Sequence, residues 1–153
     1  MKSKTTSKTS KIFFFVIISF IFYNSAFSQV TSSLMIKDLM IIENNPLQQD
    51  DSSKVKYTIF FKISEIANAK AVHISLGTEQ DVGDVLQIEA MYKLQNGNYF
   101  LNYNSKSYAY SNYTSYLEIT LLKQNLSNMK YLTLYIDDND GNVTQKYYCN
   151  VKP

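Results

Sequence analysis

A two-residue alternation of apolar and polar side chains runs through most of this chain and leaves little room for helix. Its cleanest stretch is Lys54–Ser64. Val55, Tyr57, Ile59, Phe61 and Ile63 share one face there, and Lys54, Lys56, Thr58, Lys62 and Ser64 share the other. Phe60 is the one exception on the wet face. Successive side chains of a strand point to opposite sides of the sheet, so the pattern is that of a half-buried strand. Ala71–Leu76 repeats it, with Val72, Ile74 and Leu76 inward and His73 and Ser75 outward. Ser115–Lys123 puts Leu117, Ile119 and Leu121 on one face. Lys130–Asp137 turns Leu132, Leu134 and Ile136 inward and Tyr131, Thr133 and Tyr135 outward. Asn142–Val151 closes the series, with Val143, Tyr147, Cys149 and Val151 on the inner face.

The segments between these strands carry turn chemistry. Leu34–Glu43, rich in Ile, Leu and Met, reads as a first strand that Asn44-Asn45-Pro46 ends before a polar loop, Leu47–Ser53. Gly77–Gly83 is a loop. Val85–Leu94 and Tyr99–Tyr103 are strands joined through Asn96-Gly97, a hairpin signal because a type I′ turn needs positive φ at both central residues. Asn104–Thr114 is polar and Tyr-rich, and is expected to be a loop or a weak edge. Gln124–Met129 is a connector with one helical turn, and Asp138–Gly141 is a tight turn. The sum is about seven to nine short strands and no sustained helix, which predicts an all-β, antiparallel β-sandwich. No repeat and no second domain is visible.

The last hairpin, LTLYIDDNDGNVTQKYYCNV over residues 132–151, resembles that of bacterial immunoglobulin-like and fibronectin type III-like domains. In those domains a strand ending in an acidic residue passes through a D-x-x-G-N turn into the final strand. The matching residues are Asp138, Gly141 and Asn142. The chain has one Cys and no Trp, so the Cys…Trp…Cys signature of antibody-type domains is absent. The resemblance implies an immunoglobulin-like sandwich and nothing about function, because such sandwiches host many activities.

Residues 1–28 read as a secretory signal peptide. Lys2, Lys4, Lys8 and Lys11 precede an apolar run, Ile12–Tyr23, and the small residues Ala26 and Ser28 flank a cut before Gln29. The apolar run falls short of the roughly 20 residues that span a bilayer, so no stable membrane span is expected after cleavage. The Ser28-Gln29 end resembles leaders of exported Bacteroidota proteins. Residues 29–153 are then the β-sandwich domain, periplasmic or extracellular. The whole chain carries 15 Lys, no Arg and 13 acids. Without the leader the balance is 11 Lys against 13 acids, and the basic character disappears. Nucleic acid is therefore not an expected partner, since phosphate backbones are bound by clustered cations.

One His and one Cys exclude a Cys/His zinc centre and an intramolecular disulfide. No cofactor is expected. The acidic turn carries weak metal candidates, Asp138 and Asp140. It does not fit an EF-hand: with Gly141 at the sixth loop position, Ile136 and Tyr147 fall where carboxylates belong. An ordinary hairpin turn, in which Asp and Asn tolerate left-handed geometry, is the preferred reading. Glu79, Asp81 and Asp84 form a second acidic loop, which reads as solvated unless it meets the first one in a shared pocket. His73 reads as a surface residue, with no Gly-x-Ser-x-Gly elbow to serve. Cys149 reads as a small, inert core thiol.

Tyrosine is the unusual feature. Past residue 28 there are 12 Tyr and three Phe, and six of those Tyr lie between Tyr99 and Tyr116, interleaved with Asn and Ser. Such a mixture suits a contact surface, with rigid amphipathic rings and adaptable hydrogen bonds. It also suits the wet face of a sheet, because Tyr is a favoured strand residue. The candidate ligand-binding residues are Tyr103, Tyr108, Tyr110 and Tyr113. Two functions follow. The first is a non-catalytic module that binds a protein partner of the cell envelope, through exposed Tyr anchors or strand addition at a sheet edge. The alternative is a carbohydrate-binding module that uses residues 99–116. A small enzyme ranks below both, and would need Asp81 or Asp84 to share a pocket with Asp138 or Asp140. The sequence leaves the oligomeric state open.

Overall fold

The computed structural model describes residues 32–44 and 53–151. The signal peptide expected over residues 1–28 and most of the loop expected over 47–53 lie outside the described residues. The described residues form nine strands: β1 (Ile36–Glu43), β2 (Lys54–Ile63), β3 (Ala69–Gly77), β4 (Leu86–Gln95), β5 (Asn98–Tyr103), β6 (Lys106–Ala109), β7 (Thr114–Leu122), β8 (Tyr131–Asp138) and β9 (Tyr147–Asn150). They make two antiparallel sheets. The small one runs β1-β2-β7 and the large one β6-β5-β4-β3-β8-β9. The chain passes between sheets three times. Short 3-10 turns, Ile66–Asn68 and Lys123–Asn128, serve two of the crossings, and Ala109–Thr114 makes the third.

Both sheets supply one core. Ile59, Phe61 and Leu117 of the small sheet belong to the same buried cluster as Val72, Leu76, Leu132, Leu134 and Ile136 of the large one. All eight are the inward residues of the period-two pattern. Burying each Leu, Ile or Phe is worth roughly 1.5–3 kcal/mol, which makes alternation the main determinant of register. Some residues of outward parity are nevertheless buried, Thr58 and Thr133 among them. Thr58 donates to Asn44 Oδ1 at 2.8 Å. Thr133 lies under the 77–84 loop, and its Oγ1 accepts the Asp81 N–H at 3.1 Å.

Three stretches refine the sequence reading. The segment read as a loop or a weak edge over Asn104–Thr114 contains β6, a four-residue strand at the end of the large sheet. It hairpins back on β5 through Asn104-Ser105, with φ of 46° and 61°. That is the conformation of Asn96-Gly97, at 50° and 77°, built without glycine. Asn112-Tyr113 repeats it at 50° and 62°, with Ser111 and Thr114 bridged across it. Each turn opens on Asn, which tolerates the left-handed region because its short amide bonds locally. Without the second Gly, two of the three turns carry no standard sequence signal.

β9 is shorter than the strand read over Asn142–Val151. Val143 makes only an isolated bridge to Asp137, and Cys149 is half-buried rather than a core residue. In β1, alternation breaks at a bulge between Lys37 and Met40, where Asp38 takes a φ of 53°.

Candidate functional site

The tyrosine-rich stretch does not present a row of exposed rings. Finding β6 reassigns the parities. Tyr108 pairs with Leu101, points inward and is buried, with its ring edge-on to Tyr116 at 5.3 Å. Its hydroxyl donates to the Glu118 carbonyl of β7 at 3.5 Å. Tyr110 packs on the core and donates to the Ile63 carbonyl at 3.3 Å; burial, then the neighbouring Tyr113, raise its phenol above the ordinary value. Tyr103 also packs against the core. Of the four candidate ligand-binding residues, Tyr108 is thus a core residue, and Tyr103 and Tyr110 are half-buried against the core. Tyr113 alone of the four stands in solvent, 68 % exposed at its turn.

Tyr113 is not isolated. Its carbonyl accepts the Ile63 N–H at 3.0 Å, which pins the turn against the end of β2. Beside it lie Met35 (52 % exposed), Lys37, Lys62 and Asn112, around a hollow of about 440 Å³. A second hollow of about 320 Å³ adjoins it along the outer face of the small sheet, lined by Asp38, Met40, Ile42, Phe60, Lys62 and Thr114. Lys62 belongs to both. Met40 and Ile42 are 43 % and 47 % exposed, and Phe60 leans on Tyr116 at 6.1 Å between ring centres.

The polar groups of this face are set by the bulge. Lys37 and Lys62 are direct cross-strand partners, an arrangement that like charges disfavour. The left-handed Asp38 answers it with a 2.7 Å ion pair to Lys62. Its carboxyl is held below the ordinary range first by the hydrogen bond from Lys62 and then by that lysine's charge.

Sequence reasoning passed over Met35, Met40 and Ile42. A signal was there. Leu34–Glu43 holds seven apolar residues in ten, more than one face of a strand can bury.

The other candidate groups are occupied locally. The Asp138 carboxylate accepts the N–H groups of Asp140 at 3.0 Å and Asn142 at 2.8 Å, which closes its own turn. Burial works to raise this carboxyl, and hydrogen bonds from Asn142, Ser32 and Asp140 outweigh it, leaving it below the ordinary range. Asp140 is exposed. In the second acidic loop, Asp84 accepts the Thr78 N–H and hydroxyl, while Asp81 pairs with Lys146 at 3.0 Å and accepts from the Tyr148 hydroxyl.

The register of β3 on β8 sets Gly77 against Tyr131 and Ala69 against Asp138. The 77–84 loop thus leaves one end of the β3-β8 pair and the Asp138 turn leaves the other. Among the described residues no three His, Cys, Asp or Glu side chains are grouped to hold a metal ion. His73 does lie on the outer face, but half-buried. Its Nε2 is 2.8 Å from Asp137 Oδ2, and its ring stacks on Tyr135 at 4.6 Å.

No protein-family model matches the chain, and no curated protein matches it. Among the described residues no helix is long and apolar enough to cross a membrane.

Proposed function

We propose that this chain is an exported, non-catalytic interaction module of the immunoglobulin-like sandwich type, and that it docks a protein partner of the cell envelope on the outer face of β1-β2-β7. The observation that carries the reading is Tyr113. A bulky residue in the left-handed region costs on the order of 1 kcal/mol, and such strain gathers at functional positions. Here it holds an aromatic ring in solvent, beside exposed Met35 and an apolar trough. Exposed apolar surface rimmed by polar groups is a mark of binding faces. An aromatic anchor is the residue type that carries binding energy at protein interfaces.

The strand order supports the immunoglobulin-like assignment. The first two strands share a sheet with β7, while β3 sits beside β8 and β9 and is extended by β4 and β5; β6 alone departs, pairing with β5 instead of β7. Immunoglobulin variable-type sandwiches distribute their strands in this way. The leader read over residues 1–28 supports export.

The test is affinity capture from an envelope extract with the immobilised chain, its Tyr113→Ala and Met35→Ala variants, and Tyr148→Ala as a control on the large sheet. A protein retained by the parent and by Tyr148→Ala, and lost from the other two, supports the reading. Retention by all four overturns it. A melting shift with soluble glycans that Tyr113→Ala abolishes replaces the protein partner with a sugar.

A further inference from the structure

Resting on that reading, we propose that the docking face carries a methionine-oxidation site: Met35 and Met40 each accept an oxygen atom from a hydroperoxide, and the sulfoxides weaken the hold of the face on its protein partner. Four of the five methionines lie among the described residues. They differ in exposure. Met129 is buried in the core, and Met91 is half-buried on the large sheet. Met35 and Met40 stand in solvent. These two line the hollows of the docking face, Met35 the larger and Met40 the smaller.

The backbone of each exposed methionine is fixed. The Met35 N–H donates to Ser64 Oγ at 3.0 Å, and its carbonyl accepts the Ser64 N–H at 3.1 Å. Met40 is the cross-strand partner of Phe60 in the ladder of β1 on β2. Each shares its hollow with an aromatic residue, Tyr113 in the first and Phe60 in the second. Thioethers beside rings make an adaptable apolar contact surface.

A thioether needs no ionisation to react. A lone pair on the sulfur attacks one peroxide oxygen, the O–O bond breaks and an S–O bond forms. The sulfur gives up two electrons, the peroxide takes them, and hydrogen peroxide leaves as water. Access of the oxidant to the sulfur therefore sets the rate. The product is a polar, chiral side chain where an apolar one stood. In the free protein, water satisfies the new oxygen. Beneath a docked apolar surface that water is lost, and an unpaired polar group is costly to bury. The core does not include Met35 or Met40, so the cost falls on the complex and not on the fold. At Met129 the same oxygen would fall inside the core cluster.

The test is modification interference. The chain is treated with hydrogen peroxide to partial conversion, and peptide mapping by mass spectrometry scores each methionine and Cys149 separately. Met35 and Met40 should convert about tenfold faster than Met129. Conversion of Met129 at their rate overturns the proposal. The partly oxidised chain is then passed over immobilised envelope extract, with Tyr113→Ala alongside. The bound fraction should be depleted about tenfold in Met35 and Met40 sulfoxide relative to the flow-through, while Met91 sulfoxide divides evenly. Methionine sulfoxide reductases should restore binding. Even division of all the sulfoxides, or no restoration, overturns the proposal. If the parent binds, Tyr113→Ala does not, and the sulfoxides divide evenly, oxidative control fails alone and the docking face stands. If both chains bind, or neither does, the docking face fails and takes the oxidative control with it.

Discussion

The hydroxyl of Tyr92 on β4 shares a buried hydrogen bond with the Ser115 hydroxyl on β7, so one polar contact crosses the core between the two sheets. Burial pushes the Tyr92 phenol far above its ordinary value, and the bond to Ser115 offsets only part of that. The pair is satisfied internally and isolated from water. Ser115→Ala leaves the phenol without its partner and should cost about 1–3 kcal/mol in urea unfolding. Tyr92→Phe combined with Ser115→Ala removes both polar groups, and the double variant should lose less than the two single losses added together. Additive losses would show that the bond contributes nothing.

At Tyr113, stability and binding should move in opposite directions. Tyr113→Gly relieves the left-handed backbone and loses the exposed ring. The variant should gain a few tenths to about 1 kcal/mol in unfolding free energy and lose the partner. Thermal melts and capture on the same preparation check both halves. A variant that is destabilised refutes the strain argument.

Gly77 ends β3 where the 77–84 loop folds back. A Cβ there would lie 2.0 Å from the Val82 carbonyl oxygen and 2.2 Å from Asp84 Oδ1. The first obstacle is backbone, so the loop itself must move. Gly77→Ala should cost about 2 kcal/mol or more. At Gly83 the nearest atoms belong to the flexible Gln87 side chain, and Gly83→Ala should cost clearly less. Chemical denaturation of the two variants, side by side, decides this.

Asp138 supplies an acid-sensitive contribution. Its carboxyl lies below the ordinary range in the folded protein, so ionised Asp138 stabilises the fold above the unfolded-chain value of about 3.9. That stabilisation drains away as pH falls through the lower, folded value. Asp138→Asn should melt below the parent at pH 7, and the gap should narrow below about pH 4. A gap that is constant with pH would assign the effect to packing alone.

What the sequence made legible follows from where the physics is local. Val72, Ile74 and Leu76, or Leu132, Leu134 and Ile136, declare their face because alternation and burial coincide. Asn96-Gly97 declares its turn because glycine adopts positive φ freely. Asn104-Ser105 does not, and with that turn unread β6 disappears and Tyr103, Tyr108 and Tyr110 lose their inward assignment. The burial of Thr133 was hidden for another reason, since a loop fifty residues earlier in the chain covers it. The apolar face was half legible. The excess of apolar residues in Leu34–Glu43 is in the sequence, but the bulge at Asp38, where the Lys62 pair sits, carries no local sequence signal.

The three Asn-led turns have a kinetic consequence. They begin at residues 96, 104 and 112; the first two fold β4, β5 and β6 into successive hairpins over residues 86–109, and the third carries the chain across to β7. Loop closure there is short-range and costs little entropy. The pairings of β2 with β7 and of β3 with β8 join distant parts of the chain. Low sequence separation favours early contacts. The 86–109 segment is therefore where the folding nucleus should form, with high φ-values at Leu101 and Tyr108 and lower ones at Ile59, Leu117 and Ile136. Chain collapse would then proceed outward from a small tyrosine-lined hairpin stack, with β1 laid down among the last elements.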